Sequence, residues 1–284
     1  MGRSQNTYFI DPNSETELAR LQLQDNLFNE LIDVFPGQFQ ATHRSDASVL
    51  DLACGPGGWL LQVASAHPDY STIGVDISER MIRYARAQAE VRELNTQFRI
   101  MDILTFPWSF PDSSFDLVNI RFSTGFVPVS QWPRLLQEIW RVLRSGGVFR
   151  HIEVVHMSTP ISPAMHQLAH IVYRGMYMAG LSFSPYEGAT GAILAAHLKQ
   201  RGFEEIALTP YVADLSYGAP LHAPMLENFR VSNRLLKPFL LKMKICTSEE
   251  LDELLEAQER EYQEQNFSAH WYINSTSCTK PQTT

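Results

Sequence analysis

One stretch restricts this chain more than any other: ASVLDLACGPGG, residues 47–58, an apolar run that ends in a cluster of glycines. A short apolar segment bounded by Gly and Pro reads as a strand buried on both faces. GWLLQVASAHP, residues 58–68, follows at helical spacing, so the unit is strand, tight turn, helix. The alternation then repeats. STIGVDI (71–77) reads as a strand, SERMIRYARAQAEVREL (78–94) as a helix capped by Ser78, and TQFRIMDI (96–103) as a strand. FDLVNIRF (115–122) is another buried strand, VSQWPRLLQEIWRVLRSGG (129–147) a helix closed by a double glycine, and VFRHIEVV (148–155) a fifth strand. Strands and helices alternating at this pace predict an α/β protein with a doubly wound, mostly parallel sheet.

The flanks differ. ETELARLQLQDNLFNELIDVF (15–35) carries a helical stripe opened by Ser14, with Glu17 three residues on, and ends at Pro36-Gly37. Residues 1–46 are therefore expected to form an N-terminal helical lid on a domain spanning 47–284. Beyond residue 156 two helical insertions are expected, a cap at about 157–187 and a second at about 220–266. EEIALTPYVAD (204–214) and SAHWYINSTSC (268–278) read as late strands.

Composition narrows the function. The formal net charge of −8 and the lack of a basic run argue against a nucleic-acid partner. The three cysteines are scattered, so neither a disulfide framework nor a zinc site is expected. The N-terminal segment has no apolar run of signal-peptide type and no stretch reaches the length of a membrane span, which predicts a cytoplasmic protein with no membrane partner. A homodimer is compatible with the Met- and aromatic-rich segment 161–186, which equally suits a cap.

The glycine turn poses the main question. A dinucleotide fingerprint needs Gly or Ala where this chain has Leu60, and Asp51, inside the strand, would repel a pyrophosphate. Asp76 closes the second strand, where an acid accepts ribose hydroxyls, and Asp102 closes the third, positioned for an exocyclic adenine amine. Singly, each acid also suits a turn or a helix cap. Together they call for a ligand with an ammonium end, a ribose and an adenine but no phosphate, as in S-adenosyl-L-methionine.

VLDLACGPGG, GVDIS, MDI, FDLV and VLRSGGVF resemble, in order and spacing, the motifs of the class I S-adenosylmethionine-dependent methyltransferases over roughly residues 47–155. The resemblance implies a Rossmann-like, seven-stranded sheet whose last two strands would be the late pair above. It places the methionyl amine near Asp51 and Ala53, lets Gly55 and Gly57 approach the cofactor, and gives the ribose to Asp76. Ile77 and Met81 would flank the adenine, Asp102 and Ile103 would read its edge, and Arg121 with Phe122 would line the methyl-donor region. Alanine at 53, where the family more often has glycine, is expected to sit in extended backbone.

Methyl transfer needs a base only when the acceptor must lose a proton. His156, His166 and Glu153 are the candidates; His166 and His170 are four apart, as in a metal pair, but no third ligand can be named, so no metal is expected. Tyr173, Met176 and Tyr177 would line the acceptor site, and Arg20, Gln24 and Tyr8 would reach the cofactor from the lid. The expected function is methyl transfer to an O, N or C nucleophile of a small, largely apolar metabolite of specialised metabolism. The alternatives are a nucleic-acid or protein methyltransferase, a protein that binds the cofactor without methylating, and an NAD-dependent oxidoreductase.

Overall fold

The computed structural model describes residues 10–282 apart from residues 43, 160 and 189. Five parallel strands form its centre: β1 (Ser48–Leu52), β2 (Ser71–Asp76), β3 (Thr96–Ile100), β4 (Phe115–Arg121) and β5 (Leu143–Ser158). Two later strands, β6 (Glu204–Asp214) and β7 (His270–Thr279), complete a seven-stranded sheet in the order β3-β2-β1-β4-β5-β7-β6. β7 inserts between β5 and β6 and runs antiparallel to both. The strand order reverses beside β1, so the carboxyl ends of β1 and β4 form the crevice where such sheets bind ligands.

Helices cover both faces. α3 (Gly58–Ala66) and α4 (Glu79–Val91), with the short α2 (Gly37–Gln40), bury Trp59, Leu60, Ile82 and Phe39 on one side. On the other, α5 (Trp132–Val142) and α7 (Thr190–Arg201) bury Leu135, Ile139, Leu194 and Leu198. Four further helices gather over the ends of the central strands: α1 (Glu15–Leu31), α6 (Pro163–Met178), α8 (His222–Lys242) and α9 (Ser248–Tyr262). They share a third core in which Phe28, Met165, Phe229 and Tyr262 meet Ile152 and Ile273 of the sheet. Among the described residues no helix is long and apolar enough to cross a membrane.

Two local expectations are corrected. The helix expected to close at the double glycine stops at Val142, and residues 143–147 already belong to β5. Leu143 pairs with Phe115, and the register then jumps to Leu117 opposite Val148. This bulge presses Gly147 so close to the backbone that a Cβ would lie 2.9 Å from the Arg144 carbonyl oxygen. The glycines therefore serve a bulge within a strand, not a helix cap.

The second correction concerns the turn after β1. Ala53 has φ of 51°, in the left-handed region, and not the extended backbone expected for it. Gly55 and Gly57 also have positive φ, and a Cβ on Gly57 would lie 2.7 Å from the Phe98 ring. Ala53 thus holds a conformation that disfavours a Cβ. Ala53→Gly is expected to stabilise the fold by about 1 kcal/mol, read from the denaturant midpoint at unchanged slope. A loss of stability would mean that the alanine methyl is held favourably.

Candidate functional site

The crevice opens into a cleft of about 370 Å3, a volume suited to a small-molecule ligand. The glycine turn, the ends of β1 to β5 and helices α1, α6, α8 and α9 surround it. Asp51, Ala53, Gly55, Asp76, Ile77, Met81, Asp102, Ile103 and Arg121 all line it, as the sequence-based assignment places them; Gly57 lies behind the turn.

Asp51 is buried, and one of its oxygens accepts a 2.7 Å bond from the Asn119 amide. Its other oxygen is buried without a hydrogen-bond partner. Burial pushes the carboxyl up to about 7, with the Arg121 cation opposing the shift. Asp76 accepts from the backbone N–H of Gly55 at 2.9 Å and of Ser78 at 2.8 Å, so it ties the turn to α4 while lining the cleft. Burial raises its pKa as well. Asp102 accepts from the Leu104 N–H at 2.9 Å and the Thr105 hydroxyl at 3.0 Å. The capping roles and the cleft positions of these acids coexist.

α1 closes the cleft through a residue that the sequence reading passed over. Asp25 forms a 2.8 Å ion pair with Arg121 and accepts a 3.1 Å bond from the Gly58 N–H at the start of α3. Arg121 also donates to Asn29 at 2.9 Å, so its guanidinium is engaged by α1. Burial raises the pKa of Asp25, with Arg121 opposing. The signal was present: Leu21, Asp25 and Phe28 share one helical face, and an acid on an apolar stripe calls for a partner. Arg20 and Gln24 line the cleft beside it, with Arg20 bonded to Glu17, Gln24 and Asn228. Tyr8 lies outside the described residues.

At the far end the wall is apolar. Phe122, Tyr173 and Met176 line it, joined by Met165 and Val172 of α6, Phe229 of α8 and Trp271 of β7. Tyr177, expected here, is exposed and off the cleft. The histidines are corrected too. His156 is exposed and stacks on Tyr272 outside the cleft, and His166 is exposed on the outer face of α6. His170 stacks on Tyr186, and among the described residues no group of three potential metal ligands forms.

Of the proposed bases only Glu153 reaches the cleft. It is buried, accepts from the Thr124 N–H at 2.9 Å and the Ser123 hydroxyl at 3.4 Å, and burial raises its pKa. Ser123 is also bonded to His151 at 2.8 Å. His151 is fully buried, which lowers its pKa to about 3 and keeps the ring neutral. Burial and the nearby Glu153 and Glu187 carboxylates push Tyr173 up to about 12.

Residues 49–147 match the family model of a methyltransferase domain. Over that segment the chain is similar to S-adenosylmethionine-dependent methyltransferases. It is 31% identical over 147 residues to the protein-methionine methyltransferase laeA of Emericella nidulans, covering 52% of this chain and 36% of that protein. It is 36% identical over 107 residues to the demethylmenaquinone methyltransferase of Thermus thermophilus, covering 38% of this chain and 47% of that one. The chain thus matches less than half the length of these curated relatives. Phosphoethanolamine N-methyltransferase 2 of Haemonchus contortus, solved with phosphomonomethylethanolamine and S-adenosylhomocysteine, shares the fold at a TM-score of 0.54 and 19% identity, over 96% of this chain and 60% of that one.

The cleft fits S-adenosylmethionine. The orphaned Asp51 oxygen is a buried acceptor waiting for a donor, which the methionyl ammonium of S-adenosylmethionine would supply. Asp76 and Asp102 would hold the ribose and the adenine edge, and Ile77 and Met81 would flank the base. An ammonium pairs with ionised Asp51, so affinity for S-adenosylmethionine is expected to fall as pH drops through about 7. Below that point the loss approaches roughly tenfold per pH unit. Calorimetric titrations between pH 8 and 5.5 check this, and a flat profile would remove Asp51 from the ammonium site.

Proposed function

We propose that this protein methylates an O, N or C nucleophile of a small, largely apolar metabolite. The observation that carries the reading is the contrast within one cleft: carboxylates cluster at the glycine turn, whereas Met, Phe and Trp side chains dominate the opposite wall, with Glu153 at the junction. The acceptor would enter among α6, α8 and Trp271, where an apolar body displaces water from the wall.

S-adenosylmethionine, when bound, supplies the methyl group on a sulfonium sulfur. The protein's own task is then to orient the acceptor, exclude water and take up any proton released. Glu153 suits the last role. The Thr124 N–H and Ser123 hydroxyl fix its carboxylate, and burial raises its proton affinity toward what a base near neutral pH needs. Neutral His151 supports Ser123 from behind without adding a charge.

Glu153→Gln is expected to lower kcat by about a hundredfold with the affinity for S-adenosylmethionine changed little, as loss of a general base does. His156→Gln and His166→Gln should retain full activity. Equal losses in all three variants would contradict the assignment. The likeness to a protein-methionine methyltransferase favours a second reading, in which the acceptor is a methionine thioether of a protein. A thioether has no proton to lose, so Glu153→Gln would then leave the rate unchanged.

A further inference from the structure

Arg150 is fully buried on β5, yet the only carboxylate that shares its cross-strand row is two strands away. Asp51 pairs in register with Asn119, and Asn119 with Arg150, so the three side chains form one row across β1, β4 and β5. Arg150 Nε donates to the Asn119 carbonyl oxygen at 2.7 Å, and the Asn119 amide nitrogen donates to Asp51 at 2.7 Å. A guanidinium has no acceptor, so it dictates which end of the asparagine amide faces it. The amide N–H2 must then point at Asp51. One Asp51 oxygen is consumed in this way, and the other is left unpaired where Asp51 meets the cleft.

We propose that Arg150 and Asn119 are positioning residues for the ammonium end of the cofactor, acting through Asp51: the buried guanidinium locks the amide, and the amide aims the carboxylate. The proposal rests on reading this cleft as a site for S-adenosylmethionine. Burying a guanidinium without a directly bonded carboxylate is unfavourable, and an amide-relayed pairing with Asp51 offsets part of that cost. Arg150 has a second set of contacts, donating to the Asp33 and Val34 carbonyl oxygens at 2.9 and 2.8 Å beyond the end of α1 and lying over the Trp59 ring. A purely structural anchor for that segment would need only these.

Two ligands separate the roles. S-adenosylhomocysteine carries the amino-acid end, and 5′-methylthioadenosine keeps the adenosine and thioether without it. In calorimetric titrations Arg150→Met is expected to weaken S-adenosylhomocysteine roughly tenfold or more, while methylthioadenosine changes by less than about twofold. Where Arg150→Met does not fold, the double variant Asn119→Leu with Arg150→Met leaves neither partner of the bond buried alone and carries the same expectation. Equal weakening of both ligands, or no weakening of either, overturns the proposal. If the unaltered protein binds neither ligand, the cofactor reading itself fails, an outcome distinct from variants that bind as the unaltered protein does.

Discussion

A carboxylate kept away from water at the end of a buried parallel strand is the constraint around which this cleft is built. Asp51 lies at the crevice where the strand order reverses, walled on both sides by sheet and closed above by α1. An ionised group there is tolerable only with partners, and it has one donor and one open valence. The open valence gives the site its demand for a cation. The surrounding parts follow from that demand: a turn with positive φ that brings backbone close, and a helix, α1, whose own acid, Asp25, takes up the Arg121 charge.

The same arrangement divides the cleft into two chemistries. At the turn, Asp51, Asp76 and Asp102 present carboxylate acceptors to the cleft, which suits a ligand with a cationic end and ribose hydroxyls. Toward α6 and α8 the lining is Met, aromatic and aliphatic, with Asn228, Asn233 and Gln258 as polar breaks. Glu153 stands between them, held by the turn that follows β4. α1 connects the halves, because Asp25 bonds the start of α3 while Phe28 of the same helix packs on Phe122 and Trp271.

Much of this was legible in the chain because burial on both faces writes a strand as an unbroken apolar run, and because three glycines follow the first strand while three acids fall at successive strand ends. The acids were placed on the cleft by position alone. What could not be read was the face on which a side chain falls. Glu153 and His156 look alike as acid–base candidates at the end of one strand, but Glu153 is buried opposite Asn274, whereas His156, beyond a bulge, pairs with the exposed Tyr272 past the cleft. On α6 the inward face is set by Met165, Leu168, Ala169, Val172 and Met176, and that spacing leaves His166 outside. Asn119 and Arg150 were invisible as a pair, since their neighbourhood exists only in the register of three strands distant in sequence. Residues 143–147 misled for a different reason: a double glycine after a helix serves equally as a cap or as a bulge, and only the pairing with β4 decides.

Parallel titration of the purified protein with S-adenosylmethionine, S-adenosylhomocysteine and NAD tests the central claim most directly. A site built on an unpaired buried acid and lacking the third glycine of a dinucleotide turn should bind the first two, with affinities in the micromolar range or tighter, and should not bind NAD. Binding of NAD, or of none of the three, would contradict the reading of Asp51 as the seat of a cationic cofactor.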